Sequence, residues 1–201
     1  LMTSEYFVNI KPKDVSFDSI EDVNNVLIKN KPWFLILTNN KIENNSITFD
    51  DENAGSFASI KKDGEIEYRE KVFLDNKIDI IRTIAIVCGI FKMGKIVYAK
   101  KPNTIFRFYM KIDNLNGKTV LENEDLAIFG EIKIETDRVE INREFSFDKN
   151  FDAYKSVKEI VSEFCKEIDF PFDDGLLQKE IENAINVLDN PLMFAKKINL
   201  Q

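Results

Sequence analysis

Histidine is absent from all 201 residues of this chain. That removes an imidazole general base, Ser-His and Cys-His pairs, and the commonest nitrogen ligand for metals. Only two cysteines occur, Cys88 and Cys165. Both sit among apolar neighbours and read as buried free thiols; with no histidine to complete a ligand set, they do not build a metal site. Free thiols fit a reducing, cytoplasmic setting. Long apolar runs are missing too. The longest, Ile78 to Phe91, is broken by Asp79 and Arg82. Nothing approaches the roughly 18 residues that cross a bilayer, so no membrane association is expected. The first twenty residues lack the apolar block of a signal peptide. There is no glycine-rich phosphate loop, dinucleotide fingerprint or nucleophile elbow, and no cofactor is expected.

What is present is enough apolar residue, 44%, to fill a substantial core. No low-complexity linker divides the chain, so residues 1–201 are expected to form one domain. Within it, residues 65–92 align with 138–165 without a gap. Glu67/Glu140, Asp75/Asp148, Asp79/Asp152 and Phe91/Phe164 are identical. Pairs such as Ile66/Val139, Arg82/Lys155, Thr83/Ser156 and Ile84/Val157 match in kind. Each copy reads as a strand passing through an aspartate cap into a helix. Alternation puts Ile66, Tyr68, Glu70 and Val72 on one strand face, and Val139, Ile141, Arg143 and Phe145 on the other copy's. Glu70 and Arg143 are equivalent and opposite in charge, which raises two readings: water at a strand end, or an ion pair between the copies.

The remaining pattern supplies further elements. Glu5–Ile10 reads as a strand. Asp18 and Glu21 read as a capping box for a helix through Ile28. Trp33–Thr38, Ser46–Phe49, Ser56–Lys61, Lys95–Ala99, Thr104–Asp113, Lys118–Leu121 and Leu126–Glu135 read as strands, with Lys62-Asp63-Gly64 as a hairpin turn. The helix over 76–92 is apolar nearly all round and belongs at the centre; that over 149–166 carries one apolar stripe and belongs at the surface. A last helix follows Asp173 as N-cap, with Leu177, Ile181, Ala184 and Leu188 at helical spacing, and ends at Pro191. The fold class is α+β: a mostly antiparallel sheet, two equivalent strand-helix units, and one or two extra helices.

Charge gives the strongest functional pointer. Lys92, Lys95, Lys100, Lys101, Arg107 and Lys111 crowd Phe91–Lys111 without one acid, in a chain of net charge −7. Alternation along Thr104–Ile112 sends Phe106, Phe108, Met110 and Ile112 to one side and Ile105, Arg107, Tyr109 and Lys111 to the other. A face with Arg107, Tyr109 and Lys111 beside Lys100-Lys101 has the cations and the aromatic ring that hold phosphates and stack a base. The acidic total weighs against nucleic acid and favours an acidic protein surface, including another copy. Glu131-Ile132-Lys133 has the E-x-K pattern of metal-dependent nucleases, with Asp113 or Asp125 as a second acid. Parity, however, turns Glu131 and Lys133 to solvent. Asp113-Asn114-Leu115-Asn116-Gly117 fails as a calcium loop, because Leu115 occupies a ligand position and no glutamate closes it. It reads as a turn.

Gly55-Ser56-Phe57, then Asp63-Gly64-Glu65-Ile66-Glu67, then the apolar helix, then Ile105–Ile112 running into Asn114-Leu115-Asn116-Gly117-Lys118, follow one another in order. This succession resembles the C-terminal region found behind Schlafen/AlbA-type putative DNA-binding domains, over roughly residues 55–170. The resemblance implies an accessory or sensing region and transfers no catalytic residue. The expected function is a non-enzymatic binding or regulatory module acting through protein contacts, with a protein partner or self-association. The alternatives are an accessory nucleic-acid- or anion-binding domain using Lys100, Lys101, Arg107, Tyr109 and Lys111, and a metal-dependent hydrolase or nuclease.

Overall fold

The computed structural model describes residues 4–30, 39–51, 55–72, 76–101, 103–121, 132–171 and 173–189. Seven strands form one antiparallel sheet: β1 (Glu5–Pro12), β2 (Asn39–Glu43), β3 (Ser46–Asp51), β4 (Ser56–Lys61), β5 (Ile66–Lys71), β7 (Thr104–Asp113) and β9 (Arg138–Phe147). Their order is β2-β3-β4-β5-β1-β7-β9. Two short strands, β6 (Lys77–Ile78) and β8 (Thr119–Val120), pair in parallel outside it. The helices are α1 (Ile20–Asn30), α2 (Ile80–Val97), α3 (Ala153–Glu167) and α4 (Asp174–Asp189). The molecule is α+β.

Register explains the core. One row across the sheet reads Ile47–Ile60–Ile66–Ile10–Phe108, and the next Phe49–Ala58–Tyr68–Val8–Met110–Ile141. All these side chains are buried, because a period of two sends every second residue to the same side. The helices cover that side. α2 buries residues all round its circumference, from Ile80 to Val97, and seats Phe91 among the strand phenylalanines. Its ring lies 5.3 Å from Phe108, stacked, and 5.3 Å from Phe145, edge-on. Phe106 and Phe147 stack at 4.2 Å. Gly94 lets the helix approach this closely: a methyl group there would meet the Phe147 ring at 2.8 Å. Tyr98, at the end of α2, donates to the Gly64 carbonyl at 2.6 Å and so holds the β4–β5 turn, where Gly64 has φ +83°.

The two strand-helix units begin alike. Asp79 and Asp152 are extended N-caps, with φ/ψ of −96°/111° and −102°/100°. Asp79 accepts from Ile81 and Arg82 N–H, and Asp152 from Lys155 N–H. Thr83 and Ser156 each return a hydroxyl to the cap's carbonyl, at 3.0 and 2.9 Å. The helices therefore start at residues 80 and 153, later than the spacing predicts.

Other expectations need correcting. Lys95–Ala99 is no strand: it continues and closes α2, whose apolar burial outlasts the local strand pattern. The α1 cap is Ser19, whose hydroxyl accepts the Asp22 N–H at 3.2 Å, one place beyond Asp18. Thr119–Val120 leaves the main sheet, because Asn114 (φ 59°) and Gly117 (φ 82°) turn the chain away. Glu70 and Arg143 do not pair with each other. Glu70 pairs with Arg82 of α2 and Arg143 with Glu159 and Glu163 of α3, so each strand charge is answered by the helix of its own unit. The expected strand over Trp33–Thr38, the 126–131 part of Leu126–Glu135, Pro191, and the pair member Asp75 lie outside the described residues. Leu188 lies within α4, but its side chain is not described. Asp173 does cap α4, accepting from Gly175 and Leu176 N–H.

Candidate functional site

Among the described residues, no element covers the second face of the sheet. Its rows are Thr48–Ser59–Glu67–Asn9–Tyr109–Asn142, Asp50–Phe57–Arg69–Phe7–Lys111–Glu140, and Lys11–Arg107–Glu144. Arg107, Tyr109 and Lys111 stand here side by side as alternation requires, on the second strand from the β9 edge.

The centre of the face is aromatic. Phe7 and Tyr109, on neighbouring strands, meet edge-on at 5.9 Å. The Arg69 guanidinium lies over Phe7, 5.2 Å from the ring centre. That places a cation on the electron-rich face of the ring.

Around this centre the charges compensate one another. Lys111 and Arg138 both hold Asp113 at 2.6 Å. Burial pushes the Asp113 pKa up, but the hydrogen bonds and charges of those two cations together outweigh it and hold the carboxyl below its usual range. Lys11 and Lys61 flank Glu65 at 3.5 and 3.3 Å, and Asn9 donates to it at 2.8 Å. These contacts overcome the cost of burial and lower the Glu65 pKa as well. Arg69 binds Glu67, and Lys13 binds Glu144. Arg107 stands directly across from Glu144. The Tyr109 hydroxyl donates to Glu140 at 2.8 Å; partial burial and that carboxylate push its pKa up to about 12.

Lys100 and Lys101 do not join this face. They line a cleft of ≈ 570 Å³ on the helical side, together with Asp18, Asp22 and Lys29 of the α1 region and the apolar Phe17, Val26 and Val97. The five residues singled out by charge therefore divide into two places. The basic run is continuous in sequence, but the end of α2 and the start of β7 present it on opposite sides of the sheet.

A second polar cluster escaped the sequence reading. Under the sheet, Glu70 accepts from Arg82 Nε at 2.6 Å, and its other oxygen accepts from Arg82 Nη2 and from the Tyr68 hydroxyl. The Tyr6 hydroxyl meets Thr83 Oγ1 at 2.8 Å. Burial alone would depress the Arg82 pKa, but hydrogen bonding and charge from Glu70 raise it further. Burial raises both tyrosines above their ordinary range. The signal that could have found the cluster was the 12-residue spacing of Glu70 and Arg82 across a strand-to-helix turn. With its hydrogen bonds made and its ions paired, this cluster fixes α2 to β5.

Cys88 and Cys165 are buried free thiols, each pushed up to about 12 by burial. Among the described residues no three acids or thiols gather where they could hold a metal ion. Glu131 lies outside the described residues, and Lys133 is an exposed bridge partner of Thr119. No described helix is long and apolar enough to cross a membrane. No family model, curated protein or solved structure matches the chain.

Proposed function

We propose that the chain is a non-enzymatic binding or regulatory module whose uncovered sheet face meets a protein partner. The observation carrying this reading is the composition of that face. Phe7, Tyr109 and Arg69 form an aromatic-arginine centre, ringed by ion pairs that leave little net field. Protein interfaces concentrate tyrosine, phenylalanine and arginine at the centre and polar groups at the rim. The buried thiols support a cytoplasmic site of action. The matching caps at Asp79 and Asp152 support reading the two strand-helix units as an internal repeat.

A second reading has its own observation. Phe7 and Tyr109 on adjacent inner strands, near Lys11 and Arg107, have the layout of a stacking platform for single-stranded nucleic acid. The acids interleaved among the cations weigh against it. The test is a quantitative pull-down with the intact chain and the Phe7→Ser/Arg69→Ser variant. Partners retained by the wild type and lost from the variant support the protein-contact reading. Equal retention by both, or none by either, overturns it.

A further inference from the structure

The structure assigns one edge of the sheet to a second copy of this chain. This rests on the protein-contact reading and names a partner for it. β9 is ten residues long and ends the sheet, and no described strand pairs with its outer edge. The hydrogen bonds show which groups face outward. Phe147 and Asp137 carbonyls accept from Asn103 and Leu115 N–H, while the Ile105 carbonyl turns the other way, to Lys13 N–H. Odd-numbered residues of β9 thus direct their backbone groups to β7. Arg138, Glu140, Asn142, Glu144 and Ser146 direct theirs to the open edge. Two of these outward carbonyls are guarded by side chains: that of Asn142 by Arg143 Nη1 at 3.1 Å, and that of Arg138 by the Thr136 hydroxyl at 3.0 Å.

Such an edge recruits another strand unless charge opposes it. For two copies of β9 to pair antiparallel with matching faces, the twofold axis must pass through a residue. An axis at Glu140 sets that glutamate against itself. An axis at Asn142 sets Glu140 against Glu144, and one at Arg143 sets two arginines together. An axis at Ile141 avoids every like pair. It places Arg138 opposite the second copy's Glu144, twice by symmetry, and Glu140 opposite Asn142. Arg138 already holds Asp113, and Glu144 already holds Lys13. The dimer would thread these into an alternating chain of charges, Asp113–Arg138–Glu144–Lys13, running across the seam. Arg143 would leave the Asn142 carbonyl and keep Glu159 and Glu163. The uncovered faces of the two copies would join into one.

Sedimentation equilibrium of the intact chain up to roughly 200 μM tests this. A dimer is expected. Glu144→Arg should weaken it about tenfold, and the double variant Arg138→Glu/Glu144→Arg should recover the wild-type affinity. Asn142→Pro removes only an outward N–H and should give a folded monomer by circular dichroism. A wild-type monomer, a dimer indifferent to Asn142→Pro, or a charge swap that recovers nothing would overturn the inference. The Phe7/Arg69 pull-down reads the other face, so its outcome separates failure of this edge from failure of the protein-contact reading.

Discussion

The two strand-helix units start from the same cap and end in different surroundings. In the β5–α2 unit the strand carries the acid and the helix the base, and Glu70 is 6% exposed. In the β9–α3 unit the charges are exchanged, and the Arg143 side chain is 44% exposed. An ion pair in water contributes little; one out of water is costly to break from one side. The same local sequence logic therefore yields a structural lock at the centre of the sheet and a pliable contact at its edge. The edge unit is the one that carries the proposed contact with a second copy.

The comparison can be broken in several ways, taken from the largest expected effect. Arg82→Ala strands Glu70 beneath the sheet and should cost about 2–3 kcal/mol in urea unfolding, while Arg143→Ala should cost less than about 1 kcal/mol. Equal losses would erase the distinction. Next come the identical phenylalanines. Phe91 touches the rings of Phe106, Phe108, Phe145 and Phe151, whereas Phe164 is buried in an amphipathic helix. Phe91→Leu should exceed Phe164→Leu by about 1 kcal/mol, the worth of the ring contacts beyond area. The caps should differ less. Asp79 accepts two backbone N–H groups and Asp152 one, so Asp79→Ala should cost about 1–1.5 kcal/mol and Asp152→Ala about 0.5–1 kcal/mol.

The smallest effect is the pH dependence. Asp113 and Glu65 both titrate below their ordinary values in the fold. Their stabilisation is therefore present above the usual carboxylate range, and is lost as pH falls through the lowered folded values. Asp113→Asn should flatten the fall in stability below about pH 4 by a few tenths of a kcal/mol. A steeper fall in the variant would contradict the assignment.

Much of this was legible in the sequence, for reasons that differ by element. Alternation in 104–112 fixed which side of β7 is core, because a period of two admits only two choices. The uniform apolarity around Ile80–Val97 announced a central helix. The same uniformity hid its end, since Lys95–Ala99 reads equally as strand. Asp18 and Ser19 are both good caps one residue apart, so residue type alone does not choose between them. The Glu70–Arg82 bond left a faint trace in the spacing of the two residues across a strand-to-helix turn. The division of the basic run left none, because it depends on where a helix end stands relative to the sheet, which no local pattern records.

The central claim is that the uncovered face is built for a protein surface, its charges already answered by one another. Titration of a fluorescent single-stranded oligonucleotide at low salt tests it most directly. The account predicts no saturable binding, and no difference between wild type and Arg107→Glu. Tight binding that weakens steeply with added salt and vanishes in Arg107→Glu would contradict it.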